Sequence, residues 1–239
     1  MRYSIFSYRY AREILEHHTN ANAFNEIVTI VSQAPLFIYP NKSSKNAKLD
    51  VVQQCMNTWF DRAFAVDRGW LYHPLATAIQ NSRLAADFRK TFPNITVQAE
   101  VQLGNMSRWY SDIFKLQTAY SQSLVNLGLS IVPMGNLGKR IDSNIVSYER
   151  VVRELPSADL SITLPILVIG IEPDEDTQVV DLRQPQIPLL QLTQRGSEKN
   201  RYRVVHALTN GTDLHNVTSV SDTGPMANPI VDPAHEDEG

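Results

Sequence analysis

The sequence contains a single cysteine, Cys55, among its 239 residues. One cysteine cannot form an intramolecular disulfide or a cysteine-based zinc site, so both kinds of framework are excluded. Cys55 falls within an apolar pattern of helical spacing. We therefore expect a buried thiol in a reducing compartment.

The sequence also lacks a long apolar segment. The apolar run at residues 164–171 is much shorter than the roughly 18 residues that a membrane span requires. Residues 1–13 have no apolar stretch of the kind found in a secretory signal peptide. We therefore expect a cytoplasmic protein of a bacterial or archaeal cell, with no membrane partner.

The charge composition shows no basic excess. Lys and Arg number 22 against 25 Asp and Glu, which gives a net charge of −3. Five of the acids lie in residues 222–239, which contain no Lys or Arg. This balance excludes a histone-like or ribosomal type of basic protein but permits a local positive cleft. The acidic end is typical of a flexible tail.

Helical and strand patterns alternate along the chain and predict an α/β domain. Residues 96–103 alternate between apolar and polar side chains, which predicts a half-buried strand. Residues 109–127 carry apolar side chains at helical spacing, and Gly128 is placed to cap that helix. Residues 129–134 and 164–171 are short apolar segments that we expect to be strands of a central sheet.

Two acids are candidates for metal chemistry. Asp87 is the only acid between Arg68 and Ala99. Glu100 follows on the polar face of the predicted strand, with Gln102 beside it. Carboxylates and a backbone carbonyl are the hard ligands that Mg²⁺ prefers, and such a site can activate water towards a phosphodiester. The spacing alone also fits an ordinary solvated sheet face, so that alternative stays open.

The order of these motifs resembles that of a known enzyme family. Asp87-Phe88, then Glu100-Val101-Gln102 closing a strand, then a small polar turn and a helix resemble the PD-(D/E)xK type II restriction endonucleases. The BglII/BstYI group is the most similar, with BamHI more distant. Further matching segments occur in the same order at residues 8–15, 131–134, 143–149 and 169–173.

The resemblance implies a restriction-endonuclease-like α/β fold, with a mixed central sheet flanked by helices. The resemblance covers residues 1–173, which we expect to be an endonuclease core. Beyond it we expect a C-terminal extension at 174–221 packed on or near that core and, from its acidic composition, a flexible tail at 222–239. Within the extension, residues 186–192 and 201–208 are apolar enough to form edge strands.

The resemblance implies Mg²⁺-dependent hydrolysis of both strands of a short palindromic DNA site. Asp87, Glu100 and Gln102 would be the catalytic residues. Asp87 and Glu100 would bind Mg²⁺ together with the backbone carbonyl of Val101. Gln102 stands at a position that is Lys in many relatives. A neutral amide cannot be a charged base, but it can orient the attacking water.

The step of 13 residues from Asp87 to Glu100 is longer than the family spacing. A wider hairpin explains the difference if Pro93 and Asn94 form its turn. A misaligned Asp87 explains it as well, so both interpretations stay open.

The resemblance also implies which residues contact DNA. The base-reading candidates are Asn105, Ser107, Asp142, Ser143 and Asn144. The phosphate-binding candidates are Lys42, Lys45, Lys139 and Arg140. As alternatives, the asparagines are ordinary turn residues and the cations ordinary surface charges. Relatives recognise sites with a GATC core; we expect such a site here, although the reading residues also allow another.

The helix at residues 109–127 corresponds in the family to part of a two-fold dimer interface. A palindromic site matches a symmetric protein, so we expect a homodimer with Tyr110, Phe114 and Gln117 at the interface. Core packing is the alternative for this helix. The expected functional partner is a DNA methyltransferase of the same specificity. Three other functions remain open: an inactive DNA-binding protein of this fold, a structure-specific repair or phage nuclease, and a metal-free interaction module.

Overall fold

The computed structural model describes residues 1–184 and 186–214. The acidic tail predicted at 222–239 therefore lies outside the described residues. The strands are β1 Arg2–Tyr8, β2 Leu36–Ile38, β3 Leu71–Tyr72, β4 Phe88–Thr91, β5 Thr96–Val101, β6 Leu127–Pro133, β7 Ile166–Glu172 and β8 Val179–Asp181. The helices are α1 Ala11–Glu16, α2 Ala21–Gln33, α3 Gln53–Asp61, α4 Met106–Ser121, α5 Gly135–Ile141, α6 Tyr148–Glu154, α7 Leu190–Thr193 and α8 Glu198–Thr209.

Six strands form one mixed sheet in the order β1, β7, β6, β5, β4, β3. Strands β5, β6 and β7 are parallel to one another, whereas β1, β4 and β3 are antiparallel to their neighbours. Parallel neighbours need crossover connections, and α4 supplies the one between β5 and β6. Strands β2 and β8 form a separate parallel pair. The predicted fold class, a mixed sheet flanked by helices, is confirmed.

Strand β5 is buried on both faces, although its alternation predicts a half-buried strand. Gln98 and Glu100 are fully buried, and Gln102 is 9% exposed. Helix α4 packs over this polar face, where Trp109 Nε1 donates to Ser130 Oγ at 3.2 Å. The alternative of a solvated sheet face is therefore wrong, because the polar side chains form a buried network.

Helix α4 ends earlier than the apolar pattern predicts. Ser123 has a φ of 58°, a conformation that cannot continue a right-handed helix, and Leu127 begins β6. Gly128 does not cap the helix. It lies in β6, where a Cβ atom would meet Leu164 Cδ2 at 2.9 Å. The prediction failed because Leu124 and Leu127 continue the helical spacing of apolar residues across the turn.

Neither edge strand predicted in the C-terminal extension forms: the run at residues 186–192 is a turn that leads into α7, and the run at 201–208 is helical. Helix α8 covers the run at residues 201–208 and packs against α3. Val204 and Val205 are buried in the main core cluster. A short apolar run does not distinguish a strand from a buried helix, and here tertiary packing decides in favour of the helix. Among the described residues, no helix is long and apolar enough to cross a membrane.

Candidate active site

The hairpin of β4 and β5 places Asp87 beside Glu100. Phe88 pairs with Ala99, so continuing the antiparallel register by one residue sets Asp87 opposite Glu100. The amide of Val101 donates to Asp87 Oδ2 at 2.8 Å. The long step between the two acids is thus accommodated by a wider hairpin, and it does not separate them in space.

Both carboxylates lie in surroundings that disfavour their charge. Burial raises the pKa of Asp87 to about 6, although Lys115 and the Val101 amide oppose the shift. Burial, followed by the charge of Asp87, raises the pKa of Glu100 well above its usual range. Glu100 Oε1 is buried without a hydrogen-bond partner among the described residues. Such an oxygen is costly to leave unsatisfied, and a bound cation would satisfy it.

The donor set suits a hard divalent cation. Asp87 and Glu100 offer carboxylate oxygens from neighbouring strands, and Val101 offers a backbone carbonyl. Within residues 1–184 and 186–214, no group of three or more His, Cys, Asp or Glu side chains is arranged to hold a metal ion. A two-carboxylate site fits Mg²⁺ nevertheless, because this ion commonly takes its other ligands from water and substrate phosphate.

Gln102 is fixed by two hydrogen bonds. Its Nε2 donates to Asp112 Oδ2 at 2.7 Å, and its Oε1 accepts from the amide of Gly104 at 2.9 Å. A Cβ atom at position 104 would lie 2.8 Å from Gln102 Oε1, so this close approach favours glycine. A primary amide has two N–H groups and two lone pairs. One donor and one acceptor of Gln102 therefore remain for a further group.

Helix α4 adds Asp112 and Lys115, which the sequence analysis did not single out. Lys115 Nζ lies 2.8 Å from Glu100 Oε2 and 2.8 Å from Asp112 Oδ1. Burial opposes the charged form of Lys115, but the carboxylates of Glu100, Asp112 and Asp87 raise its pKa above the ordinary value. Asp112 and Lys115 are three residues apart, which places their side chains on one face of the helix. The sequence alone does not show that this face covers β5.

A polar pocket of about 270 Å³ opens beside these groups. Asp87, Gln102 and Asp112 line it, together with Asp61 at the end of α3. Burial, followed by the charge of Asp87, raises the pKa of Asp61 to about 8. The pocket therefore concentrates more acidic groups than the two found in the sequence.

Three basic side chains also line this pocket: His73, Arg108 and Arg201. The side chain of Arg108 is exposed and has no hydrogen-bond partner in the described part of the chain. Arg201 comes from α8 in the C-terminal extension, and it donates to Thr58 Oγ1 at 2.8 Å and to Leu192 O at 2.9 Å. The extension thus contributes a wall of the pocket.

The two segments predicted to read bases lie side by side. Asn105 bridges to Ile145, and the amide of Val146 donates to Gly104 O at 2.9 Å. These bonds join the turn after β5 to the loop between α5 and α6. Asn105 also caps α4, because its Oδ1 accepts from the amide of Ser107 at 2.8 Å. The exposed candidates on this surface are Asn105, Ser107, Asp142, Ser143 and Asn144.

The four predicted phosphate-binding residues differ in their surroundings. Lys45 and Lys139 are exposed. Lys42 Nζ donates to two backbone carbonyls, at 2.5 and 3.2 Å. Arg140 forms a two-point ion pair with Asp50, at 2.7 and 2.9 Å. Lys42 and Arg140 are thus engaged within the chain, which leaves Lys45 and Lys139 as the accessible cations of the four.

Helix α4 and the turn after α6 enclose an apolar groove of about 590 Å³, here called the α4 groove. Its lining residues include Trp109, Tyr110, Ile113, Phe114, Leu155 and Ile162. Phe114 is 63% exposed and Tyr110 is 47% exposed. Gln117 is engaged within the chain, since its Oε1 accepts from the amides of Thr163 and Leu164.

Comparison with known proteins identifies the family. The model of the restriction endonuclease BglII/BglIII family matches residues 3–171. The chain belongs to this family. It is accordingly a type II restriction endonuclease, a site-specific deoxyribonuclease, and the resemblance noted in its motifs is confirmed.

Solved structures of BglII share the fold. The crystal structure of BglII complexed with a DNA 16-mer gives a TM-score of 0.58 at 18% identity, covering 76% of this chain and 82% of that one. Free BglII gives a TM-score of 0.53 at 18% identity, covering 76% and 85% respectively. A comparison with curated protein sequences found no match.

Proposed function

We propose that this endonuclease uses Mg²⁺ to hydrolyse both strands of a short palindromic DNA site, with Asp87, Glu100 and Gln102 as its catalytic residues. The observation that carries the proposal is the buried, unpartnered Oε1 of Glu100 beside Asp87. This oxygen lacks a partner within the described chain, and a divalent cation would supply one.

Asp87, Glu100 and the carbonyl of Val101 would hold the metal. A bound Mg²⁺ acidifies a coordinated water and stabilises negative charge developing on the phosphate. The hydrogen bond from the Val101 amide keeps Asp87 in place on its strand. Asp112 and Gly104 use one donor and one acceptor of the Gln102 side-chain amide. Gln102 orients the attacking water with the donor or acceptor that remains.

DNA recognition in this proposal uses the surface formed by the two joined loops. Their exposed side chains Asn105, Ser107, Asp142, Ser143 and Asn144 contact base edges. Lys45 and Lys139 bind phosphates, which orients the duplex without specifying sequence. Arg108 adds a phosphate contact at the pocket itself. By likeness to the family, the site we propose has a GATC core.

The partner that we propose for the α4 groove is a second copy of the chain. The groove and the exposed ring of Phe114 lie on the same helix, so a two-fold axis can bring each ring to the groove of the other copy. The resulting homodimer matches a palindrome. A DNA methyltransferase of the same specificity, in the cytoplasm of a bacterial or archaeal host, completes a restriction–modification system.

Mapping cleavage of a sequenced plasmid tests the proposal. Discrete fragments with Mg²⁺ and none with EDTA are expected, and sequencing their ends gives the site and the cut position. Glu100→Ala should abolish the fragments yet retain DNA binding, whereas the exposed control Glu175→Gln should cleave normally. A smear would instead indicate a structure-specific nuclease. Intact plasmid with folded protein would contradict the proposed activity.

A further inference from the structure

Lys115 forms a nearly buried ionic bridge beside the proposed active site. Its side chain is 16% exposed, between Glu100 at 1% and Asp112 at 9%. Both ion-pair distances are 2.8 Å. Because buried charges are expensive unless they are paired, this ammonium stabilises two carboxylates between α4 and β5, that of Asp112 on the helix and that of Glu100 on the strand.

The bridge continues to the residue proposed to orient water. Asp112 receives Lys115 on Oδ1 and Gln102 Nε2 on Oδ2, the latter at 2.7 Å. A continuous chain of contacts therefore links Glu100, Lys115, Asp112 and Gln102. The ammonium group of Lys115 thus contacts Glu100 on β5 directly and reaches Gln102, just beyond the end of β5, through Asp112.

Lys115 also distinguishes the two oxygens of Glu100. Oε2 accepts from Lys115 Nζ at 2.8 Å, whereas Oε1 is buried and has no partner among the described residues. A cation entering the site therefore meets Oε1, while Oε2 stays anchored. Groups that hold metal ligands in one orientation commonly alter activity when removed.

We propose that Lys115 is a positioning residue of the cleavage reaction, fixing Glu100 directly and Gln102 through Asp112. The inference rests on the proposed active site. Gln102 is neutral, and β5 contains no Lys or Arg. The positive charge beside Glu100 therefore comes from Lys115 on α4.

A variant that removes the positive charge of Lys115 but keeps a hydrogen-bond donor tests this positioning role. Lys115→Gln should slow single-turnover cleavage by about 10- to 100-fold, with DNA affinity in EDTA within twofold of wild type. The matched control is Lys90→Gln, because Lys90 forms another partly buried pair, with Glu26 at 2.8 Å. The control should cleave at the wild-type rate. Lys115→Arg retains the charge and should recover part of the lost rate.

Metal affinity provides a measurement that is independent of activity. Removing a positive charge next to the carboxylates should strengthen Mn²⁺ binding by at least about fivefold, measured by titration without DNA. Tighter metal binding combined with slower cleavage is the expected signature. If Mn²⁺ binding weakens and the free energy of unfolding falls well below that of Lys90→Gln, Lys115 supports only the fold and the proposal is wrong.

Chemical restoration of the amine gives a further test. Lys115→Cys treated with 2-bromoethylamine regains an amine at lysine length, whereas iodoacetamide adds a neutral group. The native Cys55 is buried and its pKa is raised to about 12 by burial, so it should react slowly. Once mass spectrometry shows one modified cysteine, the amine should restore cleavage and the neutral group should not.

Besides the loss of Mn²⁺ binding together with stability, two results would overturn the inference: a Lys115→Gln rate within threefold of wild type, or equal restoration by both reagents. Failure of the proposed function is a different result. In that case the wild-type protein does not cleave with Mg²⁺, and the Mn²⁺ titration still shows whether Lys115 governs the site.

Discussion

The carboxylate of Asp87 accepts a hydrogen bond from the amide of Val101 at 2.8 Å. This bond connects two proposed metal ligands, the carboxylate of Asp87 and the residue Val101, whose backbone carbonyl is the other ligand. Asp87→Asn keeps an acceptor for the amide but loses the charge. We predict a fall in single-turnover cleavage of about 10²- to 10³-fold with DNA binding retained. The exposed control Asp176→Asn should be fully active. A normal rate for Asp87→Asn would exclude Asp87 as a metal ligand.

Gln102→Glu removes the donor that Asp112 uses and sets a second carboxylate against it. The present bond is 2.7 Å long and buried, so the repulsion would have little solvent screening. We predict a decrease in the free energy of unfolding of about 1 to 3 kcal/mol, measured by urea denaturation at pH 8. The same substitution at exposed Gln194 should have almost no effect. Equal stability of the two variants would contradict the buried network.

The raised pKa of Asp61 predicts that the stability of the protein depends on pH. Its pKa is raised to about 8 in the folded chain from an ordinary value of 3.8. Between these values the folded state holds a proton that the unfolded state releases, so stability falls as pH rises through this window. Without divalent ions, Asp61→Asn should equal wild type near pH 4. At pH 8 it should exceed wild type by about 1 to 3 kcal/mol. Parallel pH profiles in urea denaturation would contradict this prediction.

Phe114 tests the proposed dimer. Phe114→Asp places a charge where an apolar ring would enter the α4 groove of the second copy. We predict a shift from dimer to monomer in sedimentation velocity at micromolar concentration, with loss of double-strand cleavage. Ile79, which is 67% exposed away from this groove, gives the control Ile79→Asp. A dimer that survives Phe114→Asp unchanged would exclude this face.

Variants at Asn144 and Lys139 distinguish recognition of the DNA bases from binding of the DNA phosphates. Asn144→Ala should cost about 1 to 3 kcal/mol of binding to the cognate site and relax the preference at one base pair. Lys139→Ala should weaken binding to all sequences equally and reduce the salt dependence by about one ion. Fluorescence-anisotropy titrations on cognate and altered duplexes over a range of salt concentrations measure both. Identical behaviour of the two variants would contradict the division.

Much of the candidate site can be predicted from the sequence, because the residues of its central motif, Glu100 to Gln102, are consecutive. The alternation of residues 96–103 and the turn after them predict a strand that presents Glu100 and Gln102. Asp112 and Lys115 could not be found in this way. Their contact with β5 depends on how α4 crosses the sheet, and a three-residue Asp–Lys spacing is common on exposed helices.

The errors in the fold have a related cause. Leu124 and Leu127 continue the helical pattern of α4, so a turn between them leaves no trace in the spacing of apolar residues. Val204 and Val205 favour strands by intrinsic propensity, but packing against α3 and the core holds them in α8. Burial decided both cases, and burial is a property of the assembled chain.

The central claim is that Glu100 acts in a Mg²⁺-dependent cleavage site. Its most direct test is single-turnover cleavage of a duplex containing the mapped site by wild type and Glu100→Gln, with binding measured in Ca²⁺. The account predicts cleavage by wild type only with Mg²⁺, and a rate about 10²- to 10³-fold lower for the variant at similar DNA affinity. Equal rates for the two proteins, or cleavage by wild type in EDTA, would contradict it.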